Sequence, residues 1–182
     1  MIVIERLNRD MHNRVAFSCG KESLDRFLHE TAHQAFKKNL AATFVAVKPE
    51  EPTRILGYYS ICNFQIDAQE LPEVIRRKHG LPRHLVPATL IARLAVDSSA
   101  QRHGIGGYLV FDALARCFRA GLEVASTTII VDALEEDIVS FYEQYGFQRY
   151  ALDSLKLFIM METVAQIDEI QTRISLLLQE VI

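Results

Sequence analysis

Apolar residues along this chain of 182 residues recur at two spacings, and the change from one to the other lays out its elements. Ile2, Val3 and Ile4 predict a first strand over Ile2 to Leu7. From Ser23 to Asn39, the residues Leu24, Phe27, Leu28, Thr31, Ala32, Ala35 and Phe36 recur at helical spacing and make one apolar face. Phe17-Ser18-Cys19-Gly20 leads into that helix. Thr43 to Val47 and Ile55 to Phe64 read as strands, and the turn Pro49-Glu50-Glu51-Pro52 between them predicts an antiparallel hairpin. Leu71-Pro72 and Gly80-Leu81-Pro82 bracket one or two helical turns, Glu73 to His79. Pro87 to Val96 is an apolar strand. Tyr108 to Ala120 is a helix with Leu109, Ala113, Leu114 and Cys117 on one side and Gly121 as its stop. Val124 to Val131 is a β-branched strand, Glu135 to Tyr145 a helix ended by Gly146, and Phe147 to Tyr150 and Leu155 to Met161 two short strands. Helices alternate with strands in the second half, where parallel or mixed pairing is expected.

The tail, Thr163 to Ile182, reads as one more helix. Ile167, Ile170, Ile174, Leu177 and Val181 are spaced as a heptad stripe, though only about two heptads long. It either packs back on its own domain or serves a dimer or partner.

Composition bounds the function. Hydrophobic content of 49% and charged content of 24% fit a soluble globular protein. No apolar run approaches the roughly 18 residues of a membrane span, and the charged start is unlike a signal peptide. Cys19, Cys62 and Cys117 lack metal-ligand spacing, so free thiols in a reducing cytoplasm and no metal site are expected. The net charge of −3 is unevenly spread. Residues 1–122 carry 17 basic and 12 acidic side chains, and residues 123–182 carry 3 and 11. Such a chain presents either one basic and one acidic face or two solvated surfaces.

The chemistry concentrates at Ile91 to Gly107. An apolar strand runs through Leu94, Ala95 and Val96 into the turn Gln101-Arg102-His103-Gly104-Ile105-Gly106-Gly107, and a helix follows. A helix start offers unpaired N–H groups and the positive end of the dipole. Glycine lets a phosphate approach the main chain, and Arg102 adds a cation. The spacing is neither the dinucleotide fingerprint nor the nucleoside-triphosphate loop. A pyrophosphate-containing cofactor is the expected ligand.

Ala92-Arg93-Leu94-Ala95-Val96-Asp97 followed by Gln-x-x-Gly-x-Gly resembles the acetyl-coenzyme A motif of the GNAT superfamily of N-acetyltransferases. Ser140-Phe141-Tyr142-Glu143-Gln144-Tyr145-Gly146-Phe147 resembles that superfamily's second signature. Phe17-Ser18-Cys19-Gly20 with Leu24 to Leu28, Gly57-Tyr58-Tyr59-Ser60 and Leu81 to Pro87 resemble one subgroup, the acetyltransferase toxins of type II toxin–antitoxin modules. Ser18 stands where that subgroup usually has Asp, and Arg102 where the loop often has Gly.

The resemblance implies an α/β (α+β) GNAT fold over residues 1–162. Its sheet is a central, mixed, mostly antiparallel and twisted one of six to seven strands flanked by helices, with a helical extension over residues 163–182. It implies acetyl-CoA as cofactor, held by Leu94, Ala95, Val96, Gln101, Arg102, His103, Gly104, Ile105, Gly106, Gly107, Ser140 and Phe141. It implies an enzyme that acetylates the α-amine of aminoacyl-tRNA, stops translation and is neutralised by a ribbon-helix-helix antitoxin. A homodimer is expected, since joining two basic faces would ease the modest charge. Acetyl transfer needs a neutral amine, a polarised thioester carbonyl and a proton for the leaving thiolate. Tyr142 is the candidate general acid, and an N–H near Val96 the candidate carbonyl donor. Glu143, Asp97 and His103 are candidate bases by type, beside a water or no dedicated base. For tRNA the candidates are Arg76, Arg77, Lys78, Arg83, His84 and Arg93, with Lys37 and Lys38 further out. Two other readings stand beside this one: an acetyltransferase of a small amine or a protein N-terminus, and a non-catalytic acyl-CoA-binding module.

Overall fold

A computed structural model describes residues 1–168, 170 and 172. Its strands are β1 (Val3–Arg6), β2 (Ala42–Val47), β3 (Gly57–Asp67), β4 (Leu85–Val96), β5 (Thr128–Asp132), β6 (Gln148–Arg149) and β7 (Lys156–Met160). Its helices are α1 (Glu22–Arg26), α2 (Ala32–Lys37), α3 (Glu73–Lys78), α4 (Ile105–Glu123), α5 (Glu136–Glu143) and α6 (Met161–Val164). The strands form one seven-stranded sheet in the order β1-β2-β3-β4-β5-β7-β6. β4 and β5 pair in parallel, while β1–β2, β2–β3, β5–β7 and β6–β7 are antiparallel. The mixed, mostly antiparallel sheet flanked by helices is the one expected, and so is the hairpin of β2 and β3.

The chain divides into two compact units. The first comprises Met1–Cys62 and Ala92–Ala113. Its core gathers Phe17, Phe27, Leu28, Ala32, Val45, Val47, Ile55, Tyr58 and Ala95. On the other side of β2 and β3, Phe44 stacks on Tyr59 at 5.2 Å, and the Tyr59 hydroxyl donates to buried Asp112 of α4 at 2.5 Å. That bond shields the Asp112 carboxylate inside an apolar layer. His12 is buried as well. Its Nδ1 accepts from the Asn8 N–H at 2.9 Å, so Nε2 carries the hydrogen and points it at Glu5 Oε1 at 2.9 Å.

The second unit comprises Asn63–Ile91 and Leu114–Ile182. Its core joins Ile66, Ala68, Leu71, Val86, Ala88, Ile130, Phe158 and Met160. His79, at the end of α3, meets Glu162 of α6 with Nδ1 2.8 Å from Oε2. This pins the short basic helix to the segment after β7.

Three expectations change. The helix of residues 23–39 is interrupted by a π-helical turn, Phe27–Thr31, between α1 and α2. The wide turn holds one residue more than an α turn, so the apolar stripe loses phase. Phe27, Leu28, Ala32 and Ala35 stay buried, whereas Thr31 and Phe36 face outward. Phe36 is covered there by the Arg6 guanidinium, 5.1 Å from its ring centre. Next, α4 begins at Ile105 and not near Tyr108, inside the glycine turn itself. It also runs through Gly121, which sits beside the Met161 methyl (3.5 Å from a Cβ built there) and ends nothing. In the tail, Ile170 is fully buried, while Ile174, Leu177, Val181 and most of the expected extension lie outside the described residues.

Gly57 explains how α4 meets the sheet. A Cβ there would lie 2.9 Å from Leu109 Cδ1, 3.0 Å from the Ala95 carbonyl oxygen and 3.4 Å from Ile105 Cγ2. A Gly57→Ala variant is therefore expected to lose about 1–3 kcal/mol in chemical denaturation, the usual cost of overpacking. A loss under about 0.5 kcal/mol would mean that Leu109 simply swings aside.

Candidate active site

In the first unit, β4 hands the chain to a loop wired by side chains. Asp97 Oδ1 accepts from the Ser99 N–H at 3.0 Å and from the Ser99 hydroxyl, and Oδ2 accepts from the Ser18 N–H at 3.1 Å. Partial burial works against this charge, but hydrogen bonds from Ser99 and Ser18 and the nearby Arg54 outweigh it and hold the Asp97 pKa below its ordinary value. A carboxylate so satisfied is a weak base.

Gln101 spends its side chain on the main chain. Nε2 donates to the carbonyls of Val96 and Cys19, each at 3.1 Å. Only a nitrogen can face two carbonyl oxygens, which fixes the amide's orientation. His103 Nδ1 lies 2.7 Å from the Gln101 carbonyl, so that nitrogen is the donor. Arg102 and Gly104 both take left-handed backbone, at φ 62° and 79°. Tyr108 is the first residue of α4 whose N–H reaches back, to Gly104 O at 3.2 Å. The N–H groups of Ile105, Gly106 and Gly107 come before that ladder.

This loop fits a pyrophosphate. Among the described residues, apart from its own chain neighbours, no heavy atom lies within 4 Å of where a Gly104 Cβ would stand, so the main chain is open there. The helix start supplies N–H donors and partial positive charge, and Arg102 is exposed beside it. Leu94, Ala95 and Val96 are on β4 immediately upstream, Ala95 buried and the other two half-buried.

In the second unit, Tyr142 lies near the end of α5 and is buried. Its ring meets Phe141 and Phe147 edge-on, at 5.2 and 5.4 Å between centroids. Burial pushes the Tyr142 pKa up from that of an ordinary phenol, so the hydroxyl keeps its proton at neutral pH. Ser140 is exposed and Phe141 half-buried on the same helix. Glu143 is drawn to Arg149 Nε at 3.0 Å, and Glu136 to the same guanidinium. Glu143 thus holds an ion pair in place.

The basic candidates divide. Arg77 reaches Glu73 at 2.5 Å and Arg76 the same carboxylate at 4.0 Å, so α3 neutralises part of its own charge. Lys78 and Arg83 are exposed and enter no ion pair among the described residues. His84 is exposed, with Nδ1 on the Leu85 carbonyl at 2.8 Å. Arg93 belongs to the first unit, with its guanidinium 3.9 Å from the centre of the Phe27 ring. Lys37 and Lys38 are exposed at the end of α2.

A model of the acetyltransferase (GNAT) domain matches residues 39–149. The chain belongs to the GNAT acetyltransferases. As a member it is an N-acetyltransferase that takes its acetyl group from acetyl-CoA. A tRNA-acetylating toxin of Mycobacterium tuberculosis is 30% identical over 84% of this chain and 89% of its own length. A crystal structure of a mutant of KacT has a TM-score of 0.84 at 27% identity, covering 91% and 98% of the two chains. AtaT complexed with acetyl-methionyl-tRNAfMet has a TM-score of 0.82 at 26% identity, covering 91% and 98%. AtaTR bound with acetyl-CoA follows at 0.75 and 25%, covering 90% and 96%.

One residue of this GNAT site was missed in the sequence: Asp25, whose Oδ1 accepts from the Cys19 N–H at 2.8 Å and Oδ2 from the Ser18 hydroxyl at 3.1 Å. Its spacing from Cys19 was visible, but an Asp on a helix reads as solvated surface. Arg102 makes the loop testable. Arg102→Gly removes a cation and suits the left-handed backbone, so thermal stability should stay within about 1 kcal/mol of the parent. Coenzyme A affinity should fall about two- to tenfold at low salt, with a smaller difference at high salt. Calorimetric titration at two salt concentrations reads this, and equal affinities would remove Arg102 from the cofactor site.

Proposed function

We propose that this enzyme acetylates the α-amine of aminoacyl-tRNA and so blocks translation, and that a ribbon-helix-helix antitoxin neutralises it. The observation that carries this reading is the 30% identity to a tRNA-acetylating toxin over nearly the whole of both chains. The likeness to AtaT, complexed with acetyl-methionyl-tRNAfMet, supports the same acceptor. A homodimer is part of the proposal, because it would join two copies of a modestly basic face.

When bound, acetyl-CoA supplies an acetyl group activated as a thioester. The N–H groups of Ile105, Gly106 and Gly107, with Arg102, would hold the phosphates, and Leu94 to Val96 would line the pantetheine arm. An N–H near Val96 polarises the carbonyl, an electrostatic contribution made by fixed donors. Ser140 and Phe141 of α5 are proposed as residues for the same cofactor. Tyr142 is the proton donor to the leaving sulfur, its hydroxyl kept protonated by burial.

No dedicated base is needed. Of the candidate bases, Asp97 is held charged by hydrogen bonds and Glu143 is paired with Arg149, while His103, whose Nδ1 donates to the Gln101 carbonyl, keeps Nε2 as an acceptor. An α-amine titrates at about 7.7–8.0, so a useful fraction is neutral at physiological pH. Lys78 and Arg83 are the strongest candidates for the nucleic acid, with Arg76, Arg77, His84 and Arg93 secondary because of their partners on the protein.

Incubation with labelled acetyl-CoA and pools of charged tRNA should yield acetyl-aminoacyl-tRNA, and label on small amines alone would favour the simpler acetyltransferase. Tyr142→Phe should lower kcat about 10²-fold or more while coenzyme A affinity stays unchanged. Unchanged turnover would remove Tyr142 as the acid. In the parent, kcat/KM should rise with pH through about 7–8 as the amine loses its proton. It should not fall again below pH ~10, because the Tyr142 pKa is raised.

A further inference from the structure

The loop proposed for the cofactor is fastened to a distant stretch of chain, Phe17 to Gly20, by side chains and by one main-chain bond. Gln101 Nε2 joins the Cys19 and Val96 carbonyls, each at 3.1 Å. Asp97 Oδ2 receives the Ser18 N–H at 3.1 Å, and the Ser98 N–H donates to the Ser18 carbonyl at 2.8 Å. From the other side Asp25 of α1 receives the Cys19 N–H and the Ser18 hydroxyl. Ser18 and Cys19 are thus held by the loop on one flank and by α1 on the other. Just beyond α1 lies Phe27, which carries the Arg93 guanidinium on its face, and the His29 ring, with Nε2 2.8 Å from the Phe17 carbonyl. Every one of these residues belongs to the first unit.

We infer that Gln101 and Asp25 are positioning residues, which make the Ser18–Cys19 segment a mechanical link from the cofactor loop to α1 and the Phe27–Arg93 stack. Filling the loop then fixes the far side of the link, and a filled cofactor site prepares the helix for the second substrate. The inference rests on the reading of residues 101–107 as the cofactor loop. It adds that the Gln101 side chain serves the acceptor side while its main chain serves the cofactor. A Gln is suited to this because its amide offers two hydrogens in one plane, one for each carbonyl.

Hydrogen–deuterium exchange on the full chain, with and without saturating coenzyme A, tests it. In the parent, coenzyme A should slow exchange about tenfold both over 101–107 and at the amides of 18–27, the scale expected when two hydrogen bonds are steadied. Gln101→Glu keeps the shape and loses both donors. With coenzyme A still saturating, it should retain protection over 101–107 and at Ser18, whose N–H is held by Asp97, and lose most of it over 19–27, to within about threefold of the free protein. Gln101→Arg, which restores donors, should recover it. Asp25→Ala should keep protection of Ser18, whose N–H is held by Asp97, and lose that of Cys19 and of 24–27. Protection over 101–107 with none over 18–27 in the parent would overturn the link and leave the cofactor reading intact. Transmission through Gln101→Glu equal to the parent's would overturn it too. Absence of protection over 101–107 itself would overturn the cofactor reading and the link with it.

Discussion

A missing side chain sets the geometry of the first unit. At Gly57 the start of β3 comes so close to the Ala95 carbonyl, and to Ile105 and Leu109 of α4, that a single methyl group would collide. This contact fixes how far the helix stands from the strand that precedes it. Since α4 begins at Ile105, the same contact fixes where its first N–H groups lie. The buried Tyr59–Asp112 hydrogen bond holds the helix two turns further along. The proposed cofactor site rests on main-chain donors with Arg102 as a side-chain arm, so little would compensate for a misplaced helix. Its precision must come from packing, and here it comes from one glycine and one buried polar pair.

In each unit the charged candidates are spent on holding structure together. Asp97 terminates a strand, caps a turn and receives a distant N–H. Asp25 gathers a thiol-bearing residue and a serine, and the Cys19 thiol, pushed up to about 11 by burial first and by Asp25 second, stays protonated. Glu143 and Glu136 share Arg149. A reaction that moves one proton to a leaving sulfur needs little more from the protein than a phenol that keeps its proton and fixed N–H donors. Ionised carboxylates close to an anionic cofactor would be a liability unless they were already satisfied.

Much of this was legible in the residues. The strand, turn and helix around Gln101-x-x-Gly104-x-Gly106 and the second motif at Phe141-Tyr142 carry short-range signals that survive without tertiary context. So does the hairpin of β2 and β3, whose strands are set apart by two prolines. What escaped reading depends on partners distant in sequence. The start of α4 looked later because Gly106 and Gly107 resemble turn residues, yet contacts of Ile105 with the Gly57 position draw the helix back over them. Gly121 looked like a stop, but the helix continues beside Met161. The roles of Asp25 and Gln101 are written in no local pattern, because both act on a segment that only the fold brings near.

The π-helical turn at Phe27–Thr31 gives the first helix two phases joined by one surplus residue. Its own first residues, Phe27 and Leu28, turn inward; after it, Ala32 and Ala35 face in and Phe36 is left to Arg6. In a helix without that surplus, the residues on either side would compete for one face. The wide turn behaves as a phase shifter, so lengthening or shortening the chain here turns one end of the helix against the other. Substitution can then tune the outer end, Gln34 to Asn39, without reaching the end that faces the link. Insertion or deletion is a different operation: it would exchange which of the two ends the core accepts.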